Sequence, residues 1–127
     1  MQVENNVVTI QGFKFTIPDG FEENETNKKV GEEANQTSFP GFKESTVAFD
    51  KGDERYLITV IFGDTEIDND SYEPAGNAAT KELEGINGWY EEYDGGASFD
   101  YIEDGKLIHL FAPDEQSLVS LIQSSQN

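Results

Sequence analysis

Trp89-Tyr90-Glu91-Glu92-Tyr93, Ser98-Phe99-Asp100-Tyr101-Ile102 and Lys106-Leu107-Ile108-His109-Leu110-Phe111 are three β-rich runs, separated by Asp94-Gly95-Gly96 and Glu103-Asp104-Gly105. Gly beside Asp closes tight hairpins, so the three runs predict an antiparallel meander. Pro113-Asp114 then starts a helix from Glu115 to about Ser124. In it Asp114 accepts from the first free N–H groups, and Leu118, Leu121 and Ile122 share the core side.

Upstream, Asn77 and Gly85 bracket Ala78 to Glu84, which reads as a short helix with Ala79, Leu83 and Ile86 on one side, and Asn87-Gly88 reads as the turn into the meander. Lys43 to Phe49 and Arg55 to Phe62 flank Asp50-Lys51-Gly52-Asp53 and form a hairpin. Its second strand is apolar on both sides, with Tyr56, Ile58, Val60 and Phe62 against Leu57, Thr59 and Ile61, which predicts a central, doubly covered position. Val7 to Ile10 and Phe13 to Ile17 make a first hairpin, followed by the Pro18-Asp19-Gly20 turn. Between them, about 22–42 is polar and uneven and reads as a flexible polar loop with one helical turn. The order ββ-ββ-α-βββ-α predicts one α+β domain over 1–127, an antiparallel sheet of about six to seven strands with helices packed on it.

Phe15-Thr16-Ile17-Pro18-Asp19-Gly20-Phe21, Ile86-Asn87-Gly88, Phe99-Asp100-Tyr101-Ile102-Glu103-Asp104-Gly105-Lys106-Leu107 and Ala112-Pro113-Asp114-Glu115 resemble small uncharacterised proteins of methanogenic archaea. The likeness covers most of the chain outside 22–42 and implies no function. More distantly, the opening F-x-I-P-x-G-F and the closing strand with its amphipathic helix look like the PsbP/Mog1/DcrB-like α/β/α sandwich. That likeness implies a fold and no activity.

The 127 residues carry 26 Asp and Glu against 8 Lys and Arg, a net charge of −18. Such a field repels phosphate backbones and anionic headgroups, which removes nucleic acid and the membrane surface as partners. No stretch reaches the roughly 18 apolar residues of a membrane span, so no membrane insertion is expected. The start, Met1 to Asn6, lacks the basic and apolar runs of a signal peptide. The cytoplasm is the first choice of compartment, and an exported or surface fragment is the second. Asn24-Glu25-Thr26, Asn35-Gln36-Thr37 and Asn69-Asp70-Ser71 are possible glycan acceptors. The chain has no Cys, hence no disulfide and no thiolate chemistry.

Three constellations are candidates for function. Asp64, Glu66, Asp68 and Asp70 alternate as in the first half of a calcium loop and predict at most a weak Ca²⁺ site. Asn69 and Ala75 stand where that loop needs Gly and Glu, and a solvated acidic loop is the favoured explanation of the run. In the meander, Glu92 and Asp100 would form a carboxylate pair if they lay across from one another. Tyr90, Tyr93 and Tyr101 beside those acids make a surface suited to a basic protein or peptide. His109, the only His, reads as a half-buried, satisfied side chain, and no phosphate-cradling glycine motif occurs. The leading expectation is a non-catalytic binding module without cofactor. A carboxylate-pair hydrolase and a calcium-stabilised domain of a cell-surface protein are the alternatives.

Overall fold

Turn chemistry folds the second half of the chain. In the computed structural model, which describes residues 1–34, 41–68 and 78–126, Asp104 and Gly105 both take positive φ and close a two-residue hairpin from Glu103 to Lys106. This type I′ geometry twists in the same sense as the strands it joins. The meander is present as β9 (Ile86–Tyr93), β10 (Gly96–Glu103) and β11 (Lys106–Ala112), followed by α1 (Glu115–Ser125). Asp114 caps α1, accepting from the Ser117 N–H at 2.8 Å, and Leu118, Leu121 and Ile122 are buried.

The segment expected as a helix over 78–84 is instead β8 (Ala79–Leu83), paired antiparallel with β9. Glu84 and Gly85 both lie at positive φ, so Gly85 closes a hairpin and does not end a helix. Strand pairing outweighs the helical propensity of Ala, Lys, Glu and Leu here. Asn77, expected as the cap, lies outside the described residues. Asn87-Gly88 is no turn but lies within β9. A Cβ on Gly88 would come 2.3 Å from the Asp100 carbonyl oxygen and 2.6 Å from the Phe99 ring, so glycine there permits close strand approach.

The other strands are β1 (Gln2–Glu4), β2 (Val7–Ile10), β3 (Phe13–Thr16), β4 (Glu22–Glu23), β5 (Lys29–Glu33), β6 (Lys43–Lys51) and β7 (Glu54–Phe62). The stretch expected as a loop at 22–42 thus holds two strands and a 3₁₀ turn, Glu25–Asn27, in its described part. Asn24 caps that turn through the Thr26 N–H at 3.0 Å. The main sheet is wholly antiparallel, in the order β4-β6-β7-β11-β10-β9-β8, with β5 pairing β6 as its eighth strand. A separate three-stranded sheet has the order β1-β2-β3. The class is α+β, mostly antiparallel sheet with one C-terminal helix, and the sheet is larger than the six to seven strands expected. The count fell short because β1, β4, β5 and β8 are short or charged, and apolar alternation does not reveal such strands.

The small sheet and α1 together cover one face of the main sheet. Val8, Ile10, Phe13 and Phe15 alternate inward from β2 and β3, meeting Val47, Phe49, Tyr56, Ile58 and Val60 from β6 and β7. Leu118, Leu121 and Ile122 close the same cluster. Among the described residues, the opposite face carries a smaller cluster, of Ile61, Ile67 and Leu107 with Ala34, Phe42 and Ile102 at its margin. Among the described residues, no helix is long and apolar enough to cross a membrane.

Candidate functional site

Register decides which side chains meet. Residues paired across neighbouring strands point to the same face, and successive residues point to opposite ones. On the face away from α1, Lys29 pairs with Thr46, Thr46 with Thr59, and Thr59 with His109. The row continues through Asp100 and Trp89 to Thr80. One polar row therefore crosses the sheet from β5 to β8.

Each polar group in the middle of this row is satisfied by a neighbour. The Thr46 and Thr59 hydroxyls lie 3.0 Å apart, and both residues are only 8% exposed. Lys29 Nζ donates to Glu44 Oε1 at 2.7 Å, and this hydrogen bond raises the ammonium pKa above its usual range. His109 Nδ1 bonds the Asp100 carboxylate. A carboxylate only accepts, so Nδ1 carries the proton and Nε2 is left as the ring's second polar atom. The side chains form a surface groove of about 360 Å³, lined by Asn27, Lys29, Glu44, Thr46, Thr59 and His109, with Leu57 as an apolar contact. On the same face but at the far end of β9, Tyr93 is 47% exposed, its ring 6.1 Å from Phe111.

The residues expected to form one aromatic and acidic surface are divided among three places. Asp100 and Tyr93 belong to the open face. Tyr90 and Glu92 belong to the opposite one, since Tyr90 pairs with Phe99 and Glu92 with Ala97. There the Tyr90 hydroxyl donates to Glu92 at 3.1 Å, and Lys81 stands 4.3 Å above the ring while bonding Glu115 at 2.9 Å. Burial, reinforced by Glu92, pushes the Tyr90 phenol pKa up. Tyr101 is no surface residue at all: it is 1% exposed, 5.6 Å from Phe99 in the core, and burial raises its phenol pKa. The expected Glu92–Asp100 pair does not form either. Asp100 lies across from Trp89, and an odd separation along β10 and β9 puts the two carboxylates on opposite faces.

Of the calcium candidates, Asp64, Glu66 and Asp68 lie in the segment after β7, and Asp70 lies outside the described residues. Ile67 anchors this segment: it is buried, and its N–H donates to the Gly105 carbonyl at 2.8 Å. The alternation of acids here reflects one inward apolar residue between two outward ones. Among the described residues, no group of three or more His, Cys, Asp or Glu side chains is placed to hold a metal ion.

No family model, curated protein or solved structure matches this chain.

Sequence reading takes His109 as a satisfied, half-buried histidine and does not connect it with Asp100 or the two threonines. One signal for the first link exists. Counting outward from the Asp104-Gly105 turn places Asp100 opposite His109. The links to Thr59 and Thr46 depend on β11 pairing with β7, a long-range choice with no local mark in the sequence.

Proposed function

We propose that this chain is a non-catalytic binding module whose partner is a protein with a basic surface, met by the open face carrying Glu91, Tyr93 and Asp100. The observation behind the reading is the charge balance. Against 26 acids there are 8 Lys and Arg, and Lys28, Lys29, Arg55 and Lys81 are already engaged with Glu23, Glu44, Asp50 and Glu115. The remaining field attracts a cationic surface over a Debye length, about 10 Å at 0.1 M salt, and speeds encounter. Tyr93, half exposed beside Phe111, offers the apolar contact that holds a partner once it has arrived.

In fold, the same reading takes the chain as a PsbP/Mog1-like sandwich related to the small archaeal proteins it resembles. An antiparallel sheet with a C-terminal amphipathic helix on one face supports this. The hydrolase alternative loses its carboxylate pair, because Glu92 and Asp100 stand on opposite faces.

Calorimetric titration with a lysine-rich peptide at low and physiological salt tests the reading, using Glu91→Lys and Glu92→Lys as neighbouring changes on opposite faces. Saturable binding that weakens with salt, and falls more for Glu91→Lys than for Glu92→Lys, is expected. Absence of saturable heat, or equal losses from both changes, removes it.

A further inference from the structure

From the groove on the open face we infer a binding site for a small, neutral, hydroxyl-rich ligand, one or two sugar rings in size. The inference is independent of the basic-partner reading, because it uses the neutral hydrogen-bonding groups of the groove and not the net charge. The charged groups beside it are already engaged, Lys29 with Glu44 at 2.7 Å and the Asp100 carboxylate with His109 Nδ1. With Lys29 bonded to Glu44, the lining offers an anionic ligand no unengaged ammonium either.

What the lining does offer is neutral hydrogen bonding. Two hydroxyls bonded to each other use one hydrogen between them, so Thr46 and Thr59 retain one donor hydrogen and free lone pairs. His109 Nε2 is the imidazole atom turned away from Asp100, and the Asn27 amide adds both a donor and an acceptor at the rim. Leu57 supplies a small apolar contact for the C–H side of a ring. Small-molecule sites use convergent polar groups of this kind to fix a ligand's orientation. The volume of about 360 Å³ is at the low end of their range, roughly 300–1,000 Å³, which limits the ligand to one or two rings. The polar groups lie on paired strands, so their spacing is fixed before a ligand arrives.

The test is titration of the ¹⁵N-labelled full chain with maltose, cellobiose and mannobiose, following the amide signals of Thr46, Thr59 and His109. Saturable shifts with at least one of the three are expected, with an affinity unchanged between low and high salt. The double variant Thr46→Val/Thr59→Val removes both hydroxyls together and leaves no orphan. It should keep the fold and lose at least tenfold in affinity. Should that variant not fold, His109→Gln is held to the same tenfold loss. Lack of saturable shifts with all three sugars overturns the inference, as does undiminished binding by the folded variant. A lysine-rich peptide that shifts these groove amides where the sugars do not overturns it too, and leaves the basic-partner reading standing.

Discussion

The two faces of the main sheet follow the same alternation along the same strands and have opposite characters. Under α1 and the small sheet, Val47, Phe49, Tyr56, Ile58, Val60, Phe99, Ile108 and Leu110 make an almost unbroken apolar layer. Ser45 is the exception, and it is matched: its hydroxyl accepts from Gln11 Nε2 at 3.1 Å and the Gly31 N–H at 3.0 Å. One residue further along each strand, the open face carries Thr46, Thr59, Asp100 and His109. The difference teaches that β-branched and aromatic strands alone do not decide which side becomes core. The side under α1 and the small sheet becomes the main core, and the other side, where Thr46 and Thr59 are still buried, holds groups that satisfy one another.

The largest effect expected is in the covered layer. Phe99→Ala should cost about 3–5 kcal/mol in denaturant unfolding, and Leu57→Ala on the open face clearly less. Equal losses would erase the distinction. Gly88→Ala should cost about 1–3 kcal/mol by the same measurement, because its Cβ collides with backbone and ring from β10. On the open face, Thr59→Val alone should also cost about 1–3 kcal/mol by leaving the Thr46 hydroxyl unpartnered, and adding Thr46→Val should recover most of the loss.

A pH series separates the faces in another way. The buried Tyr101 phenol has its pKa raised above the usual 10.0, so the folded state favours the neutral form. Its contribution is fully present below pH 10 and is lost as pH rises above that value, where the unfolded chain ionises first. Melting temperatures measured from pH 9 upward should therefore fall less steeply for Tyr101→Phe than for the native chain. The smallest effect belongs to the rim. Lys81→Ala removes a half-exposed pair with Glu115 and the contact over Tyr90, and should change stability by at most about 1 kcal/mol in urea unfolding.

The readable parts of the fold are those with local causes. The meander after Trp89 is legible because its turn residues and its alternation agree, and α1 because its cap and apolar positions agree. The stretch 78–88 misleads because Gly85 is ambiguous: a left-handed residue ends helices and also closes type I′ hairpins. Asn87-Gly88 compounds the error, since a glycine required by the neighbouring Phe99 ring imitates a turn signal two residues beyond the real one. At the candidate site, residue type alone singles out Asp100 and Tyr93 but groups them with Tyr90, Glu92 and Tyr101. Parity along β9 and β10 separates them from Tyr90 and Glu92, and core packing takes Tyr101 away altogether. The groove itself is not legible, because His109 and Lys29 join the β6–β7 hairpin only through the pairing of β11 with β7 and of β5 with β6.

The backbone N–H of Thr16 donates to the Ser124 hydroxyl at 2.9 Å, across 108 positions of sequence. That bond and the seal made by Leu118, Leu121 and Ile122 form only after every strand they join has been made. Until then, the apolar side of the main sheet has only the small sheet to cover it. Mutual repulsion between copies of so anionic a chain opposes clumping while that cover is incomplete.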